Sequence, residues 1–144
     1  MRKTLGYAPQ LVDLPNDLTG FEFMSHMAAL KGLGRGAGDQ ARILMSGLGL
    51  EASIDLPIAV YSGGMRRRLI FAQSLLGAPK LLALDEPTAE LDSETANIVA
   101  GMISKSAENA VVIVTTHLSD AFTAGGARTY RVADAQVTEQ SLTS

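Results

Sequence analysis

The run Leu81-Leu82-Ala83-Leu84-Asp85-Glu86-Pro87 decides how the 144-residue chain is read. Four aliphatic residues closed by two acids and a proline fit a short strand of a parallel sheet covered on both faces. Neighbouring residues of a strand project to opposite sides, so the two carboxylates at its tip are delivered in different directions. One can hold Mg²⁺, usually through water, while the other orients or deprotonates an attacking water in phosphoryl transfer. Asp85 is the metal candidate and Glu86 the candidate base. Strands also end in acids simply because the chain turns at a proline, and the motif by itself leaves that plainer reading open.

Downstream, the texture alternates between strand and helix. Asp92 has the chemistry to cap a helix over Ser93 to Ala107, and Val111 to Val114 form the next β-branched run. Together with Leu81 to Leu84 they make a β-α-β crossover in a parallel sheet. His117 follows the second strand's carboxyl end, where open α/β sheets place ligands. That position makes it a candidate γ-phosphate sensor that also holds the water. A short helix through Ala121 and a weak strand near Tyr130 to Val132 complete this half.

Upstream, Leu5 to Ala8 form a short strand stopped by Pro9, which leaves Gln10 at a strand end. From Leu11 to Pro79 the character is helical. Thr19 and Glu22 have capping-box spacing ahead of Phe23, Met24, Met27 and Leu30, and the glycines at 32, 34, 36 and 38 break that helix. A second helix runs from about Asp39 to Leu48, with Ile43, Leu44 and Leu48 on one face. A third starts at Gly63-Gly64 and carries Leu69, Ile70, Ala72, Leu75 and Leu76. In Tyr61-Ser62-Gly63-Gly64-Met65 a hydroxyl and two glycines open this helix and present backbone N–H groups to an anion, although glycine pairs are also ordinary turn elements. Arg66, Arg67 and Arg68 oppose the helix dipole in its first turns and so suggest an anionic neighbour, for which a surface carboxylate would serve as well as a phosphate. His26 reads as structural, and Met24, Met27, Met45 and Met102 as core filler.

Composition narrows the remaining classes. Twelve Lys and Arg against fifteen Asp and Glu give a net charge of −3, which disfavours nucleic-acid binding by phosphate neutralisation. The absence of cysteine excludes disulfide scaffolds, thiolate zinc sites and cysteine nucleophiles, and suits the cytosol. The longest aliphatic runs are far short of the roughly 20 apolar residues that span a bilayer.

In this order the segments resemble the nucleotide-binding domain of ABC transporters. Gly6-Tyr7-Ala8-Pro9-Gln10 resembles the Q-loop, Tyr61 to Met65 the signature motif, Leu81 to Glu86 Walker B, and Ala89-Glu90-Leu91-Asp92 the D-loop, while His117 falls where the switch histidine belongs. Tyr61 and Met65 depart from the commonest signature, which has leucine and glutamine there. With the trailing arginines, this version is similar to that of multidrug-type and ABC-2-like exporters. The resemblance implies an α/β fold, an incomplete P-loop NTPase sheet with a helical subdomain over residues 11–79 and an α/β core from 1–10 and 80–144. It implies ATP and Mg²⁺ as ligands, Gln10 near Mg²⁺ and the water, and Ser62, Gly63 and Gly64 on the γ-phosphate of an ATP held by a second ATP-binding protomer. Asp92 would lie across that dimer interface, Glu86 and His117 would be catalytic, and Asp85 would hold the metal. A transmembrane permease subunit would be the second partner, placing the chain in the cytoplasm on the inner face of the cell membrane.

The family's P-loop, G-x-x-x-x-G-K-[ST], belongs before the Q-loop, and no Gly-Lys pair occurs anywhere in this sequence. Firm ATP binding is therefore expected only in a composite site. The carboxyl-terminal part of an ATP-binding subunit for export is the leading expectation. A noncatalytic partner lending its signature face, or an inactive remnant, are the alternatives. Loss of central strands would also leave Leu81 to Leu84 and Val111 to Val114 with unpaired edges and uncovered apolar faces, predicting marginal stability unless another segment covers them.

Overall fold

A computed structural model describes residues 4–117, 128–133 and 136–140. The expected helix through Ala121 lies outside them. The elements are β1 (Leu5–Ala8), α1 (Gly20–Leu30), α2 (Ala37–Gly47), α3 (Gly63–Ser74), β2 (Leu81–Asp85), α4 (Ser93–Ala107), β3 (Val111–Thr115), β4 (Thr129–Ala133) and β5 (Gln136–Gln140). Two short 3-10 turns, Glu51–Ser53 and Ile58–Val60, lead from α2 to α3.

The sheet is parallel, three-stranded and ordered β1-β2-β3, with Leu5 opposite Leu81 and Leu81 opposite Val111. The Walker B-like strand is therefore central and hydrogen-bonded on both sides, contrary to the expectation of unpaired edges there. Its faces differ. Leu82 and Leu84 are buried on the side that carries Gly6 and Ala8, while Leu5, Tyr7, Leu81, Val111 and Ile113 on the opposite side are between 40% and 63% exposed. Coverage on both faces, expected from the unbroken aliphatic run, is thus observed on one face only. The expected uncovered apolar surface is present, and among the described residues β3 is paired on one side only, as expected for Val111 to Val114.

Gly6 shows why the covered face closes so tightly. A Cβ there would collide with the Ser74 carbonyl of α3, so β1 and α3 meet backbone to backbone. Val99 and Ile103 of α4 complete this layer. In the helical segment Met24, Met45, Leu48, Leu50, Ile58, Leu69, Phe71 and Leu76 are fully buried, in one continuous core with Leu82, Leu84, Val99 and Ile103.

Local chemistry sets the helix ends. Thr19 and Glu22 form the reciprocal capping box at α1. Gly36, at φ +88°, takes the left-handed conformation that precedes α2, whose first turn includes Gly38. Gly38 is therefore helical rather than a break. The buried stripe of α2 is Ala41, Met45 and the following Leu48, whereas Ile43 is 70% exposed, which corrects its assignment to the packed face. His26 is solvent-exposed on α1, while Met24 and Met45 fill the core and Met27 and Met102 border it. Strands β4 and β5 pair antiparallel in a separate two-stranded sheet, which places the weak strand near Tyr130 where the sequence put it and adds a partner that the sequence reading lacked.

Candidate functional site at the sheet edge and the α3 terminus

Parallel register brings the sequence candidates to one edge. Ala8 faces Leu84 and Asp85 faces Thr115, so Gln10, the Asp85-Glu86 pair and His117 all follow the carboxyl ends of adjacent strands. Thr115 donates its hydroxyl to Asp85 Oδ1 at 2.5 Å, fixing that carboxylate and leaving Oδ2 for another cation or donor. Glu86 leaves the strand at φ +48°, a left-handed conformation that costs a non-glycine residue roughly 1–3 kcal/mol. Its N–H donates to the Thr115 carbonyl at 2.8 Å, which holds the turn in place. The bend sends the Glu86 side chain to His117, with Oε1 3.4 Å from Nε2. Glu86 is largely enclosed at 13% exposure and His117 is open at 97%, so the pair has one protected and one wet member.

The α3 terminus forms a second group. Ser62 caps the helix, accepting the Met65 N–H on Oγ at 3.2 Å, and Gly63 and Gly64 occupy the first turn. Glu90, at φ +64°, lies beside them, with Oε2 3.6 Å from where a Cβ of Gly63 would sit. Tyr61 is an anchor rather than a ligand. Its hydroxyl donates to the Ser53 carbonyl at 2.6 Å and rests against Gly20, where a Cβ would strike it. Burial raises the Tyr61 pKa, with the nearby Asp55 charge adding to the effect.

The three arginines are largely committed to the protein itself. Arg66 donates to Asn16 Oδ1 and to the Ile58 carbonyl, and Arg68 donates to the carbonyls of Leu48 and Gly64. Among the described residues, Arg67 is the arginine of the three that forms an ion pair, with Glu90 at 3.6 Å. The anionic neighbour inferred from the arginine run is therefore a side chain of this chain, and two of the three arginines satisfy carbonyls left over at helix ends and turns.

Asp92 is exposed and spends both oxygens on α4, accepting the Thr95 N–H at 2.8 Å and the Thr95 hydroxyl at 3.1 Å. The Thr95 backbone hydrogen bond is the main cause of its lowered pKa.

A sequence model described as ABC transporter matches residues 1–89. The chain belongs to the ABC transporter family. It is 37% identical over 119 residues to ATP-binding cassette sub-family A member 13 of Homo sapiens, a stretch covering 78% of this chain and 2% of that protein. It is 35% identical over 138 residues to lipoprotein-releasing system ATP-binding protein LolD 1 of Caulobacter vibrioides, covering 93% of this chain and 58% of the relative. Among solved structures it resembles the dimeric post-hydrolysis state of the ATP-binding cassette MJ0796 bound to ADP and Pi, with TM-score 0.84 and 25% identity over 99% of this chain and 65% of that one. The chain thus spans less than two-thirds of the length of these relatives, and its α/β sheet with flanking helices has the P-loop NTPase fold of ABC ATPases.

Within this ABC transporter chain, Glu86 and His117 meet side chain to side chain, and Asp85 and Gln10 lie along the same edge. Among the described residues, no hydrogen bond or ion pair joins Ser62, Gly63 or Gly64 to that cluster. Gln10 is linked instead to the α3 group, because its carbonyl accepts from Arg67 Nη1 at 3.0 Å. Thr115 and the pairing of Arg67 with Glu90 are what sequence reasoning missed. Thr115 becomes visible once the two strands are aligned in register. No sequence pattern pairs Arg67 with Glu90.

Proposed function

We propose that this chain carries the water-activating edge and the signature-bearing helix of an ATP-hydrolysing site, with the phosphate cradle supplied by residues outside these 144. The observation carrying this reading is the Glu86 carboxylate, bent out of β2 and held 3.4 Å from His117 beside the anchored Asp85. In this scheme Glu86 accepts a proton from the attacking water. His117 orients the carboxylate and, being open to solvent, senses the phosphate. The oxygen donors of Asp85 and Gln10 suit Mg²⁺. Mg²⁺ usually keeps several waters and takes substrate phosphate oxygens, so one carboxylate and one amide oxygen would suffice as the protein's share. When bound, Mg²⁺ neutralises charge developing on the phosphates.

The two-group arrangement fits a shared site. Ser62, Gly63 and Gly64 present a hydroxyl and helix N-terminal amides to the γ-phosphate of an ATP on a second ATP-binding protomer, with Asp92 facing across the interface. The dimeric ADP- and Pi-bound MJ0796 supports this pairing. Residues 11–79 would act as a helical subdomain and 1–10 with 80–144 as part of the α/β core.

Coupling is to export through a separate membrane subunit at the inner face of the cell membrane. No helix among the described residues is long and apolar enough to cross a membrane. An apolar groove of about 480 Å³, lined by Tyr7, Pro9, Val12, Phe23, Met27 and Leu30 beside Gln10, is the surface offered to that subunit. Leu11, between two of the lining residues, is 83% exposed.

The test is ATP turnover in two settings: this chain joined to a phosphate-binding segment, for Glu86 and His117, and this chain mixed with a complete ATP-binding subunit, for Ser62. Glu86→Gln should trap ATP and reduce turnover about 10²–10⁴-fold, the usual contribution of a general base. His117→Ala should also fall steeply, and Ser62→Ala should remove stimulation of the partner. Undiminished turnover with Glu86→Gln would rule out Glu86 as the base.

A further inference from the structure

Arg67 is the residue whose position the proposed chemistry does not use. It lies on α3, is 8% exposed, and points its guanidinium into the junction of two loops. Nη1 donates to the Gln10 carbonyl at 3.0 Å, and Nη2 lies 3.6 Å from Glu90 Oε2. Nε is the buried side-chain polar atom left without a partner among the described residues. Burying a guanidinium with a donor unsatisfied is unfavourable, and an aliphatic residue would fill the same space without that cost. Packing therefore does not account for arginine here. Its two contacts do, because only a long fork reaches both loops at once.

Each loop has few other restraints. The turn carrying Glu90 is closed by long backbone bonds, Ala89 to Glu86 at 3.2 Å and Leu91 to Thr88 at 3.3 Å, and Glu90 keeps a left-handed backbone. The loop after β1 offers Arg67 a main-chain carbonyl, so the tie does not depend on the Gln10 side chain.

We propose that Arg67 is a positioning residue that ties the loop carrying Gln10 to the turn carrying Glu90 and Asp92, so that displacing one loop releases the other. The tie stands on geometry alone. Only its consequence, that a partner pressing on the Glu90 turn is felt at Gln10, rests on the shared-site reading.

The native chain has no cysteine, so single spin labels can be placed without competing thiols. A nitroxide on Leu11→Cys reports the first loop. One on Ile43→Cys, exposed on α2, reports the fold. Glu90→Gln, at a solvent-exposed side chain, should sharpen the Leu11 spectrum and leave the Ile43 spectrum unchanged. Arg67→Met should sharpen the Leu11 spectrum as much, and adding Glu90→Gln to it should do no more. A merely structural Arg67 would not transmit a change made at Glu90. The proposal is overturned if Glu90→Gln leaves the Leu11 label as in the native chain, or sharpens it equally in the Arg67→Met background. If Arg67→Met also alters the Ile43 label, Arg67→Lys takes its place. It keeps the charge but not the fork, and the response to Glu90→Gln should be lost there; an undiminished response would overturn the tie.

Discussion

The helical segment and the three-stranded sheet solve the burial problem differently. Between α1, α2 and α3 the interior is closed, with Phe71, Met24 and Met45 at or near zero exposure. The sheet buries one face under α3 and α4 and leaves Leu5, Tyr7, Leu81, Val111 and Ile113 facing outward. Exposed apolar area of this kind gains free energy when another surface covers it. The candidate chemistry nevertheless sits on the less protected part, at the sheet's carboxyl edge, while the helical part presents Ser62, Gly63 and Gly64 at the start of α3. Full burial and the candidate chemistry thus concentrate in different parts of one continuous core structure.

The largest expected effect breaks the closed part. Phe71→Ala should cost about 3–5 kcal/mol, the range for deleting a buried aromatic, and chemical denaturation would measure it. A loss below 1 kcal/mol would mean that the helical interior is not where stability lies. Next, Gly6→Ala probes the seam between the regions. The new Cβ meets the Ser74 carbonyl, so β1 or α3 must move, with a cost of about 1–3 kcal/mol typical of overpacking. Substitution on the open face should do little to stability. Ile113→Thr should change unfolding free energy by less than about 0.5 kcal/mol while reducing binding of a hydrophobic dye. A large loss there would show that the face is covered in solution.

The smallest effect is a pH dependence at α4. The Asp92 pKa is lowered from 3.8 by its hydrogen bonds to Thr95. Its contribution is therefore fully present above the unfolded value and lost as pH falls through the lower folded value. Melting curves of the native chain and Asp92→Asn should converge below that window and separate above it. Parallel curves throughout would remove the cap from the account.

Much of this was legible because local chemistry decided it. Thr19 with Glu22, Asp92 before Ser93, and Ser62 before two glycines fixed three helix starts. The aliphatic runs at Leu81 and Val111 gave the crossover, and parallel register then carried Asp85, Glu86 and His117 to one edge. What stayed hidden depends on distant parts of the chain. Ile43 has the right composition for a core but the wrong angle on α2, where Ala41 and Met45 face inward. The arginine run suggested an anionic neighbour, phosphate or carboxylate, without naming it; two of its members satisfy carbonyls and the third meets Glu90, 23 positions away. The central place of β2 could not be read from its own residues, because strand order is set by partners.

The most direct measurement is steady-state ATP hydrolysis by the purified chain alone, repeated with Glu86→Gln, and by its mixture with a complete ATP-binding subunit, repeated with Ser62→Ala. The account predicts no turnover above background for the chain alone and stimulated turnover in the mixture that Ser62→Ala removes. Turnover by the chain alone that disappears with Glu86→Gln would contradict it, since the phosphates would then be held without any contribution from outside this sequence.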